Sequence, residues 1–280
     1  MTGVFDTRVC TLGEGPLWHP ERNQLFWFDI LGRRLLSQTD GKPQEWQFDE
    51  YVSAAGWVDQ DRLLMASASG LYLFDLNTSA RELVVALEAD NPVTRSNDGR
   101  ADPQGGFWIG TMGLRAEPGS GAIYRYYRGE LRKLYSGITI SNAICFSPQG
   151  DQAYFTDTPT QKIMRQKLDA AGWPVGDPEV YLDLSATDLN PDGAVVDAKG
   201  NLWNAQWGAH RVACYDREAR LIETVSFAAE QISCPAFGGA DFSTLYATSA
   251  ADGLSGQAEG LTYAHTLTGV VGQPEHKVIL

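Results

Sequence analysis

The feature that most constrains the fold of this 280-residue chain is a repeat of short apolar runs separated by polar turns. In the clearest copy, residues 191–216, Asp192 precedes an apolar run at 194–196, a turn follows at 197–200, and a second run begins at Leu202. Short β-branched and aromatic runs that are broken by Gly and Asp about every 8–12 residues are typical of an antiparallel meander. This copy therefore predicts one four-stranded sheet.

The position at the start of this motif, which is polar in most copies, recurs along the chain every 40 to 50 residues. The corresponding positions are Glu14, Ala54, Asn97, Asn142, Asp192 and either Ser233 or Cys234. Six all-β repeats of this size predict a six-bladed β-propeller with four-stranded antiparallel blades around a central channel, in one domain over residues 1–280. We expect residues 4–10 to form the outer strand of the last blade, which would leave no free sheet edge.

This architecture predicts a site, because the first strand of each propeller blade lines the central channel. The repeated positions then form a ring in which two carboxylates and two amide oxygens converge. Oxygen donors without thiolate or imidazole suit a hard divalent cation. Ala54 offers no ligand, so it leaves room for a substrate on its side of the channel.

Arg95 and Asn97 are two residues apart, so on a strand both side chains point to the same face. A cation and an amide that face the channel would suit a hydroxylated, partly negative ligand. The alternative is that residues 97–99 form only a tight turn. The Gly- and Pro-rich connection over residues 112–121 is a candidate lid.

Composition argues against several classes of partner. With 35 acidic and 22 basic residues the net charge is −13, whereas binding to nucleic acid requires a basic face. No apolar run approaches the roughly 18 residues of a membrane span, so we expect no membrane partner. Four scattered cysteines without a CxxC pair favour free thiols, and we expect a cytoplasmic monomer or small homo-oligomer.

Several common catalytic motifs are missing from the sequence. It contains no G-x-S-x-G nucleophile elbow, no P-loop, no G-x-G-x-x-G and no HExxH. Nucleophilic catalysis by Ser or Cys thus has no support in the sequence. A mechanism centred on a metal remains.

Five short motifs occur in a specific order along the chain. They are Glu14-Gly15-Pro16, Arg95-x-Asn97-Asp98-Gly99, the run over 102–112, Ser141-Asn142 and Pro191-Asp192-Gly193. Together they resemble the senescence marker protein/regucalcin/gluconolactonase family of six-bladed propellers, over nearly the whole chain.

The resemblance implies metal-dependent hydrolysis of a sugar lactone, an aldonolactone or an aldarolactone, to the open-chain sugar acid. It implies one divalent cation (calcium, zinc, magnesium, manganese or ferrous iron) bound by Glu14, Asn142 and Asp192. It also implies that Arg95 and Asn97 contact the sugar and that Asp192 is the catalytic base.

Three questions stay open at this point. A carboxylate bound tightly to a cation is a poor base because the cation lowers its pKa; Asp98 is the next candidate, although strand alternation from Asn97 would turn it away. An aldarolactone would call for an extra cation, for which Arg33, Arg100 and Arg115 are candidates. Alternative functions are an organophosphate or aryl-ester hydrolase of the related propeller type, and a non-catalytic calcium-binding propeller.

Overall fold

In the computed structural model, which describes residues 2–280, the chain forms six four-stranded antiparallel sheets. The first strand of each sheet contacts the first strands of the two neighbouring sheets, and the first blade contacts the sixth in the same way. The sheets thus close into a ring. The six-bladed β-propeller predicted from the repeat is confirmed.

The described chain begins with β1 (Thr2–Asp6), which belongs to the last blade. Blade one contains β2 (Gly13–His19), β3 (Gln24–Asp29), β4 (Arg34–Thr39) and β5 (Lys42–Gln47). Blade two contains β6 (Val52–Trp57), β7 (Arg62–Ser67), β8 (Gly70–Asp75) and β9 (Arg81–Ala86). Blade three contains β10 (Thr94–Ala101), β11 (Phe107–Gly113), β12 (Gly121–Tyr127) and β13 (Glu130–Ile138).

The second half of the chain repeats this arrangement. Blade four contains β14 (Ser141–Phe146), β15 (Gln152–Asp157), β16 (Lys162–Lys167) and β17 (Glu179–Asp183), with a 3₁₀-helix at Thr158–Thr160. Blade five contains β18 (Asn190–Val196), β19 (Leu202–Trp207), β20 (Arg211–Tyr215) and β21 (Leu221–Ser226). Blade six contains β22 (Ile232–Gly238), β23 (Thr244–Ser249), β24 (Thr262–Thr266) and β1.

The N-terminal strand joins the ring, but not over the residues expected. β1 pairs with β24, with Thr2 opposite His265 and Val4 opposite Tyr263, so it is the outermost strand of blade six. It ends at Asp6 because the carboxylate of that residue accepts hydrogen bonds from the backbone and the guanidinium of Arg8, which turns the chain. The expected strand over residues 4–10 is therefore corrected to Thr2–Asp6.

The hydrophobic core is divided among the blade interfaces. Within the described residues, six apolar clusters occur, one between each pair of neighbouring blades. Between blades five and six, for example, Trp203 packs edge to face against Phe237. Each blade thus buries both faces of its sheet, which holds the inner strands at fixed positions around the channel.

Each inner strand carries one extra residue at or beside its repeat position. The register shifts lie between Glu14 and Leu17, Val52 and Ala54, Ser96 and Gly99, Asn142 and Cys145, Pro191 and Ala194, and Ile232 and Pro235. Such a β-bulge bends its strand and changes the direction of a side chain. Gly15 and Ala143, which follow Glu14 and Asn142, accordingly adopt left-handed φ values of 52° and 58°.

Candidate active site

A cavity of about 300 Å³ lies at the end of the channel where the inner strands begin. The five site residues predicted from the sequence all line it: Glu14, Arg95, Asn97, Asn142 and Asp192. The other lining residues are Leu12, Met112, Ile140, Thr158, Trp207 and Asp252. The structure thus brings residues from blades one, three, four, five and six to one place.

Glu14 and Asp192 are the two carboxylates deepest in this cavity, with only 4% and 5% of their surface exposed. Burial raises the pKa of Glu14 to about 8, and the charge of Asp98 adds to this shift. Burial also raises the pKa of Asp192, followed by the charges of Glu14 and Asp98. Neither carboxylate forms an ion pair with any residue in 2–280.

A divalent cation fits this donor set. Two buried carboxylates that repel each other gain most from a cation placed between them, and the amide oxygen of Asn142 is a third hard donor. Within residues 2–280, no group of three or more His, Cys, Asp or Glu side chains could hold a metal ion. This donor set has only two such side chains, those of Glu14 and Asp192, because its third donor is an amide.

Arg95 is buried beside these carboxylates and donates from Nη1 to Oδ1 of Asn97 at 2.8 Å and to the carbonyl oxygen of Ser96 at 2.9 Å. Burial lowers its pKa to about 10, so the guanidinium stays protonated at neutral pH. Its Nε and Nη2 donate to no acceptor in the described chain. These donors are available to a ligand in the cavity.

A directed chain of hydrogen bonds sets the orientation of the two amides. Arg95 donates to Oδ1 of Asn97, whose Nδ2 donates to Oδ1 of Asn142 at 3.1 Å. Nδ2 of Asn142 donates to the hydroxyl of Thr158 at 2.9 Å, and that hydroxyl donates to the carbonyl oxygen of Pro191 at 2.8 Å. Because each amide nitrogen has an acceptor, both amide oxygens have one defined position.

Asp98 is buried next to this chain but does not line the cavity. Strand alternation, on which the sequence argument relied, does not apply here because the bulge between Ser96 and Gly99 interrupts it. The carboxylate instead accepts a hydrogen bond from the backbone N–H of Ile144, 2.7 Å away on the inner strand of blade four. Burial raises its pKa to about 6.

The lining residues that were not predicted from the sequence lie outside the inner strands. Thr158 opens the 3₁₀-helix of blade four, Trp207 ends β19, and Asp252 lies in the connection between β23 and β24. Met112, near the end of β11, also lines the cavity and is the last residue of the motif over 102–112. No repeat or motif in the sequence marks Thr158, Trp207 or Asp252.

The three arginines suggested for a second anionic group of the substrate lie elsewhere. Arg100 forms a buried ion pair with Glu275, beneath the site. Arg33 is exposed over the ring of Tyr51, in a groove that also contains Asp49, Glu50 and Glu88. Arg115 is exposed in the 112–121 connection.

The opposite end of the channel is covered by the C-terminal segment. Backbone N–H groups of Val278 and Ile279 donate to the carbonyl oxygens of Trp57 and Gly105. The side chain of Gln273 donates to the carbonyl oxygens of Phe146 and Val196, on two other blades. The channel therefore opens to a ligand at the end that carries Glu14 and Asp192.

The chain is similar to known proteins over most of its length. The family model "SMP-30/Gluconolactonase/LRE-like region" matches residues 12–251. A Rhizobium meliloti protein provisionally named a sugar lactone lactonase is 43% identical, over 88% of this chain and 85% of its own length. The L-arabinolactonase of Azospirillum brasilense is 37% identical, over 92% of this chain and 86% of its own.

Among solved structures, a calcium-binding protein, regucalcin, from Agrobacterium tumefaciens superposes with a TM-score of 0.96. It is 40% identical, and the match covers 99% of this chain and 97% of that protein. Separately, none of the helices within residues 2–280 has the length and apolar character needed to cross a membrane.

Proposed function

Because the chain belongs to the SMP-30/gluconolactonase/LRE-like family, we propose that it is a sugar lactonase that requires a divalent cation and hydrolyses its substrate to the open-chain acid. The observation that carries this proposal is the cavity in which Glu14, Asn142 and Asp192 lie beside Arg95 and Asn97. The names of the sugar lactone lactonase and L-arabinolactonase relatives support the reaction.

Glu14, Asn142 and Asp192 are the residues that would hold the cation. When bound, the cation would polarise the lactone carbonyl and stabilise negative charge on its oxygen. Carboxylate and amide oxygens suit calcium, magnesium or manganese better than softer metals. The calcium-binding description of the Agrobacterium structure supports calcium among these.

Arg95 and Asn97 would position the sugar. Nε and Nη2 of Arg95 have no acceptor among residues 2–280 and can donate to hydroxyl or ring oxygens of the ligand. Asn97 holds Arg95 in place, since its Oδ1 accepts from Nη1. Trp207, which is partly buried at the cavity wall, offers an apolar face to the carbon side of a sugar ring.

Asp192 is the proposed base. Its carboxylate would take a proton from a water molecule as the water oxygen bonds to the carbonyl carbon. The bond between that carbon and the ring oxygen then breaks, and the proton passes to the ring oxygen, which becomes a hydroxyl. Asp192 lines the cavity, whereas the Asp98 carboxylate is bonded to the backbone of Ile144 away from it.

The cavity wall also bears on the alternative functions. An aryl-ester or organophosphate hydrolase would be favoured by a channel lined with aromatic residues. Trp207 is the one aromatic residue lining this cavity among those that the structure describes, and five polar or charged side chains lie deeper. A calcium-binding propeller without catalysis would bind the cation but hydrolyse no ester.

The test is proton release from a panel of γ- and δ-lactones of gluconate, xylonate, arabinonate, galactonate, glucarate and galactarate. The protein is first treated with a chelator, and calcium, magnesium, manganese, zinc or ferrous iron is then added back separately. Hydrolysis that depends on one of these cations is the expected result. Tight cation binding without hydrolysis of any lactone would contradict the proposal and favour the binding protein.

Location and assembly are further parts of the proposal. We propose a cytoplasmic protein that acts as a monomer or a small homo-oligomer. All four cysteines lie within the described residues and are buried as free thiols, which suits a reducing compartment.

A further inference from the structure

We infer that the site selects neutral lactones, of the aldonolactone class, over lactones that carry a second anionic group, and that Asp252 is the residue that enforces this choice. The inference rests on the proposed function, because it concerns the substrate of that same cavity. It distinguishes aldonolactones from aldarolactones, between which the sequence does not decide.

The charges of the groups that line the cavity bear first on this choice. Three carboxylates line it, those of Glu14, Asp192 and Asp252, whereas Arg95 is the one Lys or Arg side chain lining it among residues 2–280. A divalent cation and Arg95 together would just neutralise the three carboxylates. No positive charge is then left over for a second carboxylate, sulfonate or phosphate on the substrate.

The substrate would extend from the buried cation donors toward the open end of the cavity. The proposed cation donors Glu14, Asn142 and Asp192 are almost fully buried, so the reacting carbonyl must lie at the closed end of the cavity. The far end of the sugar then lies toward the open end. Asp252 is exposed and lines the cavity, so it belongs to that open end.

The backbone of Asp252 is held in place, whereas its carboxylate has no partner among the described residues. The backbone N–H groups of Ala251 and Asp252 donate to the carbonyl oxygen of Thr11 at 3.1 and 3.0 Å, and the N–H of Leu254 donates to Ala251 at 3.0 Å. These bonds fix the connection against the start of blade one. In the described part of the chain, no hydrogen bond or ion pair involves the carboxylate itself.

An anionic group at the far end of the ligand would therefore face an unneutralised carboxylate. At separations of about 4–5 Å in water-like surroundings, such a pair disfavours binding about four- to sixfold, more where water is partly excluded. Salt weakens the effect, because the Debye length is about 10 Å at 0.1 M ionic strength. A neutral hydroxymethyl group would instead be able to donate a hydrogen bond to Asp252.

The experiment compares two substrates of matched stereochemistry, D-galactono-1,4-lactone and D-galactaro-1,4-lactone, with the cation-loaded protein. We expect kcat/KM to favour the neutral lactone by at least about fivefold. Asp252→Asn should lower this ratio about fivefold and Asp252→Lys further, mainly through KM for the charged lactone. Raising NaCl from 50 to 500 mM should also lower the ratio in the wild type and have less effect in Asp252→Asn.

The matched control is Asp177→Asn, which removes an exposed carboxylate from the connection between β16 and β17, at the opposite face of the propeller. It should leave the ratio unchanged. Equal kcat/KM for the two lactones, or a ratio that Asp252→Asn and Asp252→Lys leave unchanged, would overturn this inference and leave the proposed function standing. If the protein hydrolyses neither of these two lactones and no other lactone in the panel, both this inference and the proposed function are overturned.

Discussion

The hydroxyl of Thr158 accepts a hydrogen bond from Nδ2 of Asn142 at 2.9 Å and donates one to the carbonyl oxygen of Pro191 at 2.8 Å. It thereby links a proposed cation ligand on blade four to the residue before Asp192, another proposed ligand, on blade five. With Nδ2 committed to Thr158, the oxygen of Asn142 faces Asn97 and the cavity. Groups that orient metal ligands in this way commonly change metal affinity 10- to 100-fold when removed.

The first prediction is that Thr158→Val weakens cation binding about tenfold, because Asn142 loses the acceptor that orients its amide. Isothermal titration calorimetry with calcium, on protein freed of cations by a chelator that is then removed, would measure this change independently of catalytic activity. Thr158→Ser keeps the hydroxyl and should restore the affinity. Equal affinities for the wild type and Thr158→Val would show that the hydroxyl does not orient the ligand.

Glu14→Gln and Asp192→Asn should each abolish measurable cation binding and lactone hydrolysis, because both carboxylates are needed as donors. Neither change should lower the free energy of unfolding of the cation-free protein, since each removes one of two buried, mutually repelling charges. Calcium titration and denaturant unfolding in the presence of a chelator test the two parts. Full turnover in either variant would exclude that residue as a ligand.

Asp98→Asn should reduce kcat much less than Asp192→Asn does. An amide oxygen at position 98 can still accept the hydrogen bond from Ile144, and the side chain does not reach the cavity. Steady-state kinetics on a neutral lactone would compare the two variants at saturating cation. A loss in Asp98→Asn that equals the loss in Asp192→Asn, with cation affinity intact, would point to Asp98 as the base.

The buried ion pair between Arg100 and Glu275 should attach the C-terminal segment to the channel. Glu275→Ala should lower the free energy of unfolding by about 3 kcal/mol, since it leaves a buried guanidinium unpaired. The double variant Arg100→Met, Glu275→Leu should recover most of that loss. Denaturant unfolding measures both, and a single variant as stable as the wild type would show that the pair does not hold the segment.

The four thiols should resist alkylation by iodoacetamide at pH 8 while the protein is folded. Burial raises the pKa of Cys10 to about 12 and raises the pKa of Cys145, Cys214 and Cys234 as well, so the reactive thiolate is scarce. Mass spectrometry should find four modified sites only after denaturation. Rapid labelling of a native thiol would show local opening of the blade that contains it.

The sequence alone determined the propeller and the inner ring of the site. The repeat is a local property that each blade expresses in its own strands, and the number of blades follows from the number of copies. Glu14, Asn142 and Asp192 occupy the same place in three copies, so their meeting in the channel follows from the symmetry of the ring. Asn97 lies beside them because it occupies the same place in a fourth copy, and Arg95 precedes it by two residues on the same strand.

Only the tertiary structure decided which way these residues point and what surrounds them. The extra residue in each inner strand interrupts simple alternation, so the orientation of Asp98 depends on a hydrogen bond to another blade. Thr158 and Asp252 come from connections and Trp207 from the end of β19, at positions that share no repeated pattern. They reach the cavity because blades four, five and six pack side by side, and such contacts between blades leave no periodic trace in the sequence.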